Sequence, residues 1–290
     1  MKPLNYHLEF ITPCFCAGAN QAVAELRPTS IRGKLRWWFR IVGGTSEEEA
    51  EIFGSIHGGG YASSLIVRVQ QHGLLQKWQP IQLFRESNTG YLLYFAEKSA
   101  DGARWVAGGA LPIGSNFDLQ LLWRRPVGKS AKGAFDLALD CFLMFGSLGL
   151  RATRGLGTFV CAEVPFSPAG FEDVVARVKH RSPQFIAEMG IFSGGQSQLL
   201  DALGAQLRGL RIGYSAGRQG QSNPTPLGSS SRPRQTSAVY LRPVRESGDR
   251  YRLVVFEAPG EKVLGLESRR GAPRLGNGVP APAQAGIRRR

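Results

Sequence analysis

Residues 28–44 read PTSIRGKLRWWFRIVGG, and their apolar positions recur at the spacing of an α-helix, not of a strand. With Ile31 as origin and about 100° per residue, Leu35, Trp38 and Val42 fall within roughly 40° of it and make one apolar stripe. Arg32, Arg36 and Arg40 gather on another face, at about 100–180°, and Trp37 falls at about 240°, off the stripe and next to Arg40. Pro28-Thr29-Ser30 offers a hydroxyl N-cap and Gly43-Gly44 a C-terminal stop. Between Leu26 and Ser46 stand five basic side chains, Arg27, Arg32, Lys34, Arg36 and Arg40, and no acidic one. Any fold must therefore bury one side of this helix and present the other to something anionic.

The flanking patterns place that helix among strands. Tyr6–Ile11 alternates apolar and polar residues, as a half-buried strand does, and Thr12-Pro13 ends it. Glu47–Ile52 is a short acidic helix with Ser46 as its cap, followed by the glycines Gly58-Gly59-Gly60. Ser64–Gln70 and Phe117–Trp123 are strands by alternation, and Pro80–Phe84 and Gly90–Phe95 are apolar pieces compatible with strands. Ala134–Leu150 is a helix, with Phe135, Leu139, Phe142 and Leu150 at helical spacing and Asp136 and Asp140 on its polar side. A glycine-rich basic loop, Gly149–Gly157, leads into a strand at Thr158–Val164. Strand, helix, strands and helix, then a returning strand, is the order of an α+β, split βαβ, ferredoxin-like unit, and it covers residues 1–165. Beyond it, Gly170–Lys179 and Gln198–Leu207 are predicted helices, and Leu210–Tyr214, Ser237–Leu241 and Tyr251–Phe256 predicted strands. Ser215–Gln235 is a long polar loop with Arg218, Arg232 and Arg234, of the length that is functional or disordered. From about Ser268 the chain is Arg, Gly, Pro and Ala, which predicts a disordered tail.

Composition enters through charge. The chain has 290 residues, 42% of them hydrophobic, enough for one large or two small cores, and its formal net charge is +14. An excess of one sign on that scale favours polyanionic partners. Lacking a run of about 18 apolar residues, the sequence predicts no membrane span, and its first residues lack a secretory signal, so the cytoplasm is expected. Four cysteines without a Cys-x-x-Cys pair are expected to be small buried hydrophobes, not a disulfide framework or a zinc site. The histidines His7, His57, His72 and His180 show no triad or metal spacing, and neither basic element has paired carboxylates. No catalytic residue, metal ligand or cofactor is predicted.

Two segments carry the binding chemistry. Five like charges in one helix repel unless an anion lies against them. The amides near Ser30–Gly33 and the bare backbone of Gly33 suit a phosphate. Trp37 is a candidate either for stacking on a base or for packing against a partner. In the second segment Arg151 and Arg154 stand among Gly149, Gly155 and Gly157. Its spacing is not the dinucleotide fingerprint, and it has no Gly-Lys-Ser/Thr. Glycines there let backbone amides approach phosphates while the arginines neutralise them.

The residues Ile11-Thr-Pro13, Glu25-Leu-Arg-Pro-Thr-Ser-Ile-Arg-Gly-Lys-Leu-Arg-Trp-Trp-Phe-Arg40 and Phe53-Gly-Ser55, with the loop Gly149-Leu-Arg-Ala-Thr-Arg-Gly-Leu-Gly157, resemble the RAMP superfamily of CRISPR-associated proteins. Within it they resemble the first-numbered RAMP subunits of the type III-B Cmr effector complex, over about residues 4–165. The resemblance implies two tandem ferredoxin-like (RRM-like) domains, at 1–165 and 166–262, with a basic tail at 263–290. It further implies a non-enzymatic subunit that binds CRISPR guide RNA and target RNA near the guide 3′ end, alongside other Cmr subunits. RNA contact carries over to Arg32, Lys34, Arg36, Gly149, Arg151, Arg154, Gly155 and Gly157; charge or position adds Arg27, Ser30, Gly33, Trp37, Arg40, Arg232 and Arg234. The alternatives are a metal-independent RAMP endoribonuclease using His7 or His57, and a protein-interaction adaptor whose basic face meets acidic neighbours.

Overall fold

The structure is a computed structural model that describes residues 2–20, 23–56, 60–72, 87–96, 98–99, 102–103, 109–216, 226–228, 236–259 and 263. In chain order the elements begin β1 (Leu4–Phe10), β2 (Cys14–Phe15), α1 (Pro28–Ile41), α2 (Ser46–Phe53) and β3 (Leu65–Gln71). Next come α3 (Asn88–Leu93) with a 3₁₀ turn at Tyr94–Ala96, β4 (Lys98–Ser99), β5 (Gly102–Ala103), β6 (Ala110–Leu111) and β7 (Asn116–Trp123). The rest are α4 (Lys129–Phe145), β8 (Phe159–Cys161), α5 (Pro168–Arg181), β9 (Ile186–Gly194), α6 (Gln196–Ala216), β10 (Val239–Ser247) and β11 (Arg250–Glu257). Contacts divide the chain into two compact units. The first comprises Met1–Trp78, Gly108–Leu150 and Leu156–Pro183, and the second Gln79–Ala107, Arg151–Gly155 and Gln184–Arg290.

The first unit is built on an antiparallel sheet of order β3-β7-β1-β8. With α1 following β1 and α4 following β7, this is the ferredoxin-like arrangement that the sequence order predicts. Alternation along β7 buries Phe117, Leu119 and Leu121 on one face. There the Phe10 ring lies 5.2 Å from Phe117, and Phe142 of α4 lies 5.1 Å from Phe159. Trp38 of α1 reaches the same core, 5.9 Å from Phe145. The other face is polar, with Asn5, His7, Glu9, Arg68, Gln70, Asp118 and Gln120 pointing away from the core by the two-residue period of the strands. None of its positions on these four strands holds Phe, Tyr or Trp.

Local signals explain the helix ends, with two corrections. The N-cap of α1 is Arg27, with no side-chain cap and Pro28 in the first turn, so the Thr29 and Ser30 hydroxyls do not cap it. Proline suits that place because its missing N–H would have had no partner. At the other end the Gly44 N–H donates to the Phe39 carbonyl and that of Gly43 to Arg40, while Gly43 has φ 85°. This Schellman stop is the one Gly43-Gly44 predicts. The acidic helix is capped by Thr45, not Ser46: its hydroxyl accepts from the Glu48 N–H, and the Glu48 carboxylate accepts from the Thr45 N–H.

In the second unit the sheet order is β10-β11-β9, antiparallel throughout. Sequence order β9-α6-β10-β11 with that spatial order repeats β1-α1-β3-β7 of the first unit. Helix α3 lies against α6 where Gly204 leaves room, since a Cβ there would stand 2.0 Å from the Asn88 carbonyl oxygen. Two predicted strands are helical. Gly90–Phe95 falls in α3 and its 3₁₀ extension because the Ser87 hydroxyl accepts from the Gly90 N–H at 2.9 Å and starts a helix. Leu210–Tyr214 continues α6, whose Leu199, Leu203, Leu207 and Leu210 are buried at helical spacing. Helix α4 begins five residues earlier than predicted, at Lys129, and stops at Phe145, where Gly146 turns to an extended backbone that a Cβ, 2.1 Å from the Phe142 carbonyl oxygen, would not allow. Strand β9 was not foreseen. Pro80–Phe84, Arg218, most of the 215–235 loop and the tail from Ser268 lie outside the described residues.

Helix α2 supplies the acids that α1 lacks. Glu49, 7% exposed, accepts from Arg36 Nε at 2.5 Å and from Arg40 Nε at 2.5 Å and Nη2 at 2.6 Å. Glu51 accepts from the Gly128 N–H at the start of α4 at 2.7 Å, and Glu48 from the Ser130 hydroxyl at 2.5 Å. Burial by itself would raise the Glu49 carboxyl, but hydrogen bonds and charge from Arg40 and Arg36 outweigh it and hold the carboxyl below the usual range. A depressed carboxylate stabilises the fold above its unfolded value, about 4.3, and loses that contribution as pH falls through the folded value. Glu49→Gln should cost about 2 kcal/mol at neutral pH, less than the ~3–5 kcal/mol of a fully buried pair because both guanidinium groups are about half exposed. Urea unfolding from pH 7 to pH 3 should show the wild-type and variant curves converging at the acid end.

Candidate nucleic-acid interface

On α1 the predicted basic residues separate into two sets. Arg36 and Arg40 face α2 and hold Glu49 between them, and Arg32 donates to the Phe53 carbonyl oxygen. The expectation of a stripe with no compensating acid is thus corrected: the compensation comes from the next helix. A different face is left. Ser30 and Gly33 are exposed, Lys34 and Trp37 half-buried, and the four lie together at about 200–300° on the helical wheel. Lys34 has no hydrogen-bond or ion-pair partner among the described residues, and neither does the exposed Arg27 at the N-cap. Burial pushes the Lys34 amine down from its ordinary value, the effect of a cation held without a counter-charge. Trp37 stands edge-on to Trp38, 4.9 Å between ring centroids, and of the two only Trp38 enters the core.

Gly33 sharpens the contrast with the arginine face. It sits inside a 14-residue helix, and a Cβ built on it meets nothing within 4 Å. A glycine there costs about 1 kcal/mol relative to alanine, and no contact among the described residues requires it.

The glycine loop has a different logic from the one predicted. Gly155 and Gly157 are buried, and their amides donate to the Ala152 and Pro13 carbonyls, so they do not present N–H groups to a ligand. Their role is steric. A Cβ on Gly157 would lie 1.8 Å from the Leu148 carbonyl oxygen, one on Gly149 would lie 2.4 Å from that of Phe15, and all three have positive φ. What the loop presents is its arginines. Arg151 to Gly155 group with the second unit, where the Leu241 N–H donates to the Thr153 carbonyl at 3.0 Å.

There Arg151 lies over two rings, 5.3 Å from the Tyr94 centroid and 5.0 Å from that of Phe95, and donates to the Tyr94 hydroxyl at 3.0 Å. Arg208 and Arg211 of α6 lie over Tyr91 of α3 at 4.9 and 5.3 Å, and Arg211 donates to the Tyr91 hydroxyl. Burial, then the charges of Arg151 and Arg211, push Arg154 down to about 10, still cationic at neutral pH. The hydrogen bond and charge of Arg151 also lower the Tyr94 phenol. Arg151, Arg154 and Arg211 make no ion pair with a carboxylate among the described residues. Arginines on tyrosine faces with their charge uncompensated suit a chain of phosphates and the bases attached to it.

The sequence singles out Arg151 and Arg154 of this cluster, and does not single out Tyr91, Tyr94, Arg208 or Arg211. The signal was present, since each pair stands three residues apart, one helical turn, but both segments had been read as strands or left unassigned. Arg232, Arg234 and His57 lie outside the described residues. Among the described residues no helix is long and apolar enough to cross a membrane.

A family model described as the RAMP superfamily matches residues 7–160, more than half of the chain. The chain is 28% identical over 143 residues to the CRISPR system Cmr subunit Cmr1-1 of Pyrococcus furiosus, covering 46% of this chain and 40% of that protein. It is 39% identical over 59 residues to Cmr subunit Cmr1-2 of the same organism, covering 17% and 32%. These matches therefore span two-fifths or less of the relatives' own length. In fold, it is similar to the crystal structure of apo Cmr1 from Pyrococcus furiosus, with a TM-score of 0.59 at 19% identity over 93% of this chain and 92% of that one. It is also similar to a chain in a cryo-EM structure of the type III-B Cmr-beta bound to cognate target RNA, with a TM-score of 0.54 at 10% identity over 87% and 94%.

Because the Cβ position of Gly33 is open, Gly33→Ala should raise stability by about 1 kcal/mol. Chemical denaturation of the purified chain checks this. A neutral or destabilising result would reveal an internal constraint on Gly33 and remove it from the interface.

Proposed function

The chain belongs to the RAMP superfamily, and from that membership we propose that it is a non-catalytic RNA-binding subunit of a type III-B CRISPR (Cmr) ribonucleoprotein effector complex. It binds guide RNA and target RNA near the guide 3′ end, next to other Cmr subunits, and its second unit is a smaller ferredoxin-like domain. The names of its relatives support the assembly. The observation that carries RNA binding is the cluster of Arg151, Arg154 and Arg211 with Tyr91 and Tyr94, in which no carboxylate among the described residues pairs with the three arginines. On the first unit, Arg27, Ser30, Gly33 and Lys34 form a second contact surface with Trp37 beside it. Arg32, Arg36 and Arg40 hold that helix in place.

The chemistry is backbone recognition. Guanidinium groups pair with phosphate oxygens in bidentate fashion, and the tyrosines give bases a flat face that does not distinguish one from another. Sequence is then read by base pairing between guide and target, as in RNA-guided effectors in general. The open face of the first sheet has no aromatic platform of the kind that RRM sheets use to stack bases, so the grip falls to helix and loop.

Fluorescence anisotropy with short labelled single-stranded RNA tests this. Arg154→Ala and Arg211→Ala should each weaken binding to all sequences alike and flatten the log–log salt slope by about 0.7, and together by about 1.4. Arg151 has φ 58°, a left-handed backbone that costs a non-glycine residue about 1–2 kcal/mol. Arg151→Gly should therefore lower RNA affinity without lowering the melting temperature. Loss of affinity for one sequence alone, or a slope unchanged in both alanine variants, would overturn backbone recognition by this cluster.

A further inference from the structure

His7, His72 and Asp118 are far apart in sequence and come together on the open face of the first unit's sheet. His7 of β1 is the direct cross-strand partner of Asp118 in β7, and Asp118 also faces Gln70 of β3. His72 follows β3 and continues its pairing, its N–H donating to the Asn116 carbonyl at 3.0 Å, which puts it diagonally beside Asp118 on the same face. His7 Nδ1 stands 2.5 Å from Asp118 Oδ1 and His72 Nε2 2.6 Å from Oδ2, with the ring centroids 5.8 Å apart. One nitrogen from each imidazole and a carboxylate oxygen all lie within 4.8 Å of one another.

Two imidazoles and one carboxylate are a donor set with defined preferences. Magnesium and calcium favour all-oxygen shells, whereas imidazole with carboxylate suits zinc, cobalt, nickel and related ions. Bonds of about 2.0–2.1 Å in a tetrahedral shell put ligand atoms roughly 3.3 Å apart, between the hydrogen-bonded distances and the outer separation seen here. Side-chain rotations on fixed strands close that difference. The paired strands set the backbones, and the His7 N–H is further tied to Glu163 Oε2 at 2.8 Å. All three side chains are partly exposed, so an ion can enter and the remaining coordination position faces solvent. We propose that His7, His72 and Asp118 form a binding site for one divalent transition-metal ion of the zinc class, held by three protein ligands with an open position. It shares no residue with the arginine–tyrosine cluster or with the exposed face of α1, and it does not depend on the RNA-binding reading. Hydrogen bonds through Asp118, which hold its carboxyl below the usual range, are what the same residues do without the ion.

Cobalt is the probe, because a low-symmetry His/carboxylate site gives it a visible d–d band. Untagged full chain, stripped with chelator and dialysed, should develop that band on addition of Co²⁺ and saturate at one ion per chain, and Zn²⁺ should bleach it. His7→Ala and Asp118→Ala should each lower the affinity at least about tenfold, as loss of a ligand does. His72→Gln keeps a polar side chain of similar reach and should do the same, and a melting curve of each metal-free variant confirms folding. His180→Ala, an exposed histidine on α5, should leave the titration unchanged. No saturable band, equal binding by the folded variants, or a near-ultraviolet charge-transfer band that places the ion on Cys14 or Cys16 would each overturn the site.

Discussion

The carboxylate of Glu49 decides how the basic helix is used. It takes three hydrogen bonds from Arg36 and Arg40 while nearly buried, and that fixes α2 against α1 and turns two of the five basic residues inward. Glu51 and Glu48 extend the same arrangement to the first turn of α4. One short acidic helix therefore offsets part of the charge of one basic helix and ties together the two long helices that cover the sheet. Glu49 does not reach Arg27, Arg32 or Lys34, and of these side chains Arg32 donates to the Phe53 carbonyl oxygen. A count of arginines along the helix does not show that two of them already share a carboxylate from the next helix.

The same separation explains what the sequence showed and what it hid. Period and punctuation give the first unit nearly whole: alternation in β1, β3 and β7, the Ile31–Leu35–Trp38–Val42 stripe, and the stop at Gly43-Gly44 are local properties, and local properties survive folding. The second unit was harder to read because its short apolar runs fit two periods. Tyr91 to Phe95 and Leu210 to Tyr214 are rich in aromatic or branched residues, which favours strand on propensity. The Ser87 cap and the leucine spacing over about three turns of α6 outweigh that preference. Misreading those two segments also hid the tyrosines and arginines that they bring to Arg151 and Arg154. Pairing between strands is a further kind of information that spacing along the chain does not carry. His7 and Asp118 are 111 residues apart and meet only because β1 and β7 are neighbours in register.

Glycine illustrates the difference between needing and permitting. In the loop after α4, the positions of Gly149 and Gly157 need a residue without Cβ, because their carbon would fall on a backbone carbonyl; these glycines shape the loop whatever it binds. Gly33 is only permitted. Its helix would be firmer with alanine, and among the described residues nothing fills the space. Arg151 completes the series from the opposite side. A large side chain occupies a left-handed position that glycine would occupy without strain, between Leu150 and the loop apex. Its guanidinium stabilises itself on Tyr94 and Phe95, yet among the described residues no carboxylate pairs with it, nor with Arg154 or Arg211. Local strain at Arg151 and repulsion among three guanidinium groups are thus concentrated in one short stretch of surface, and both are costs to the fold.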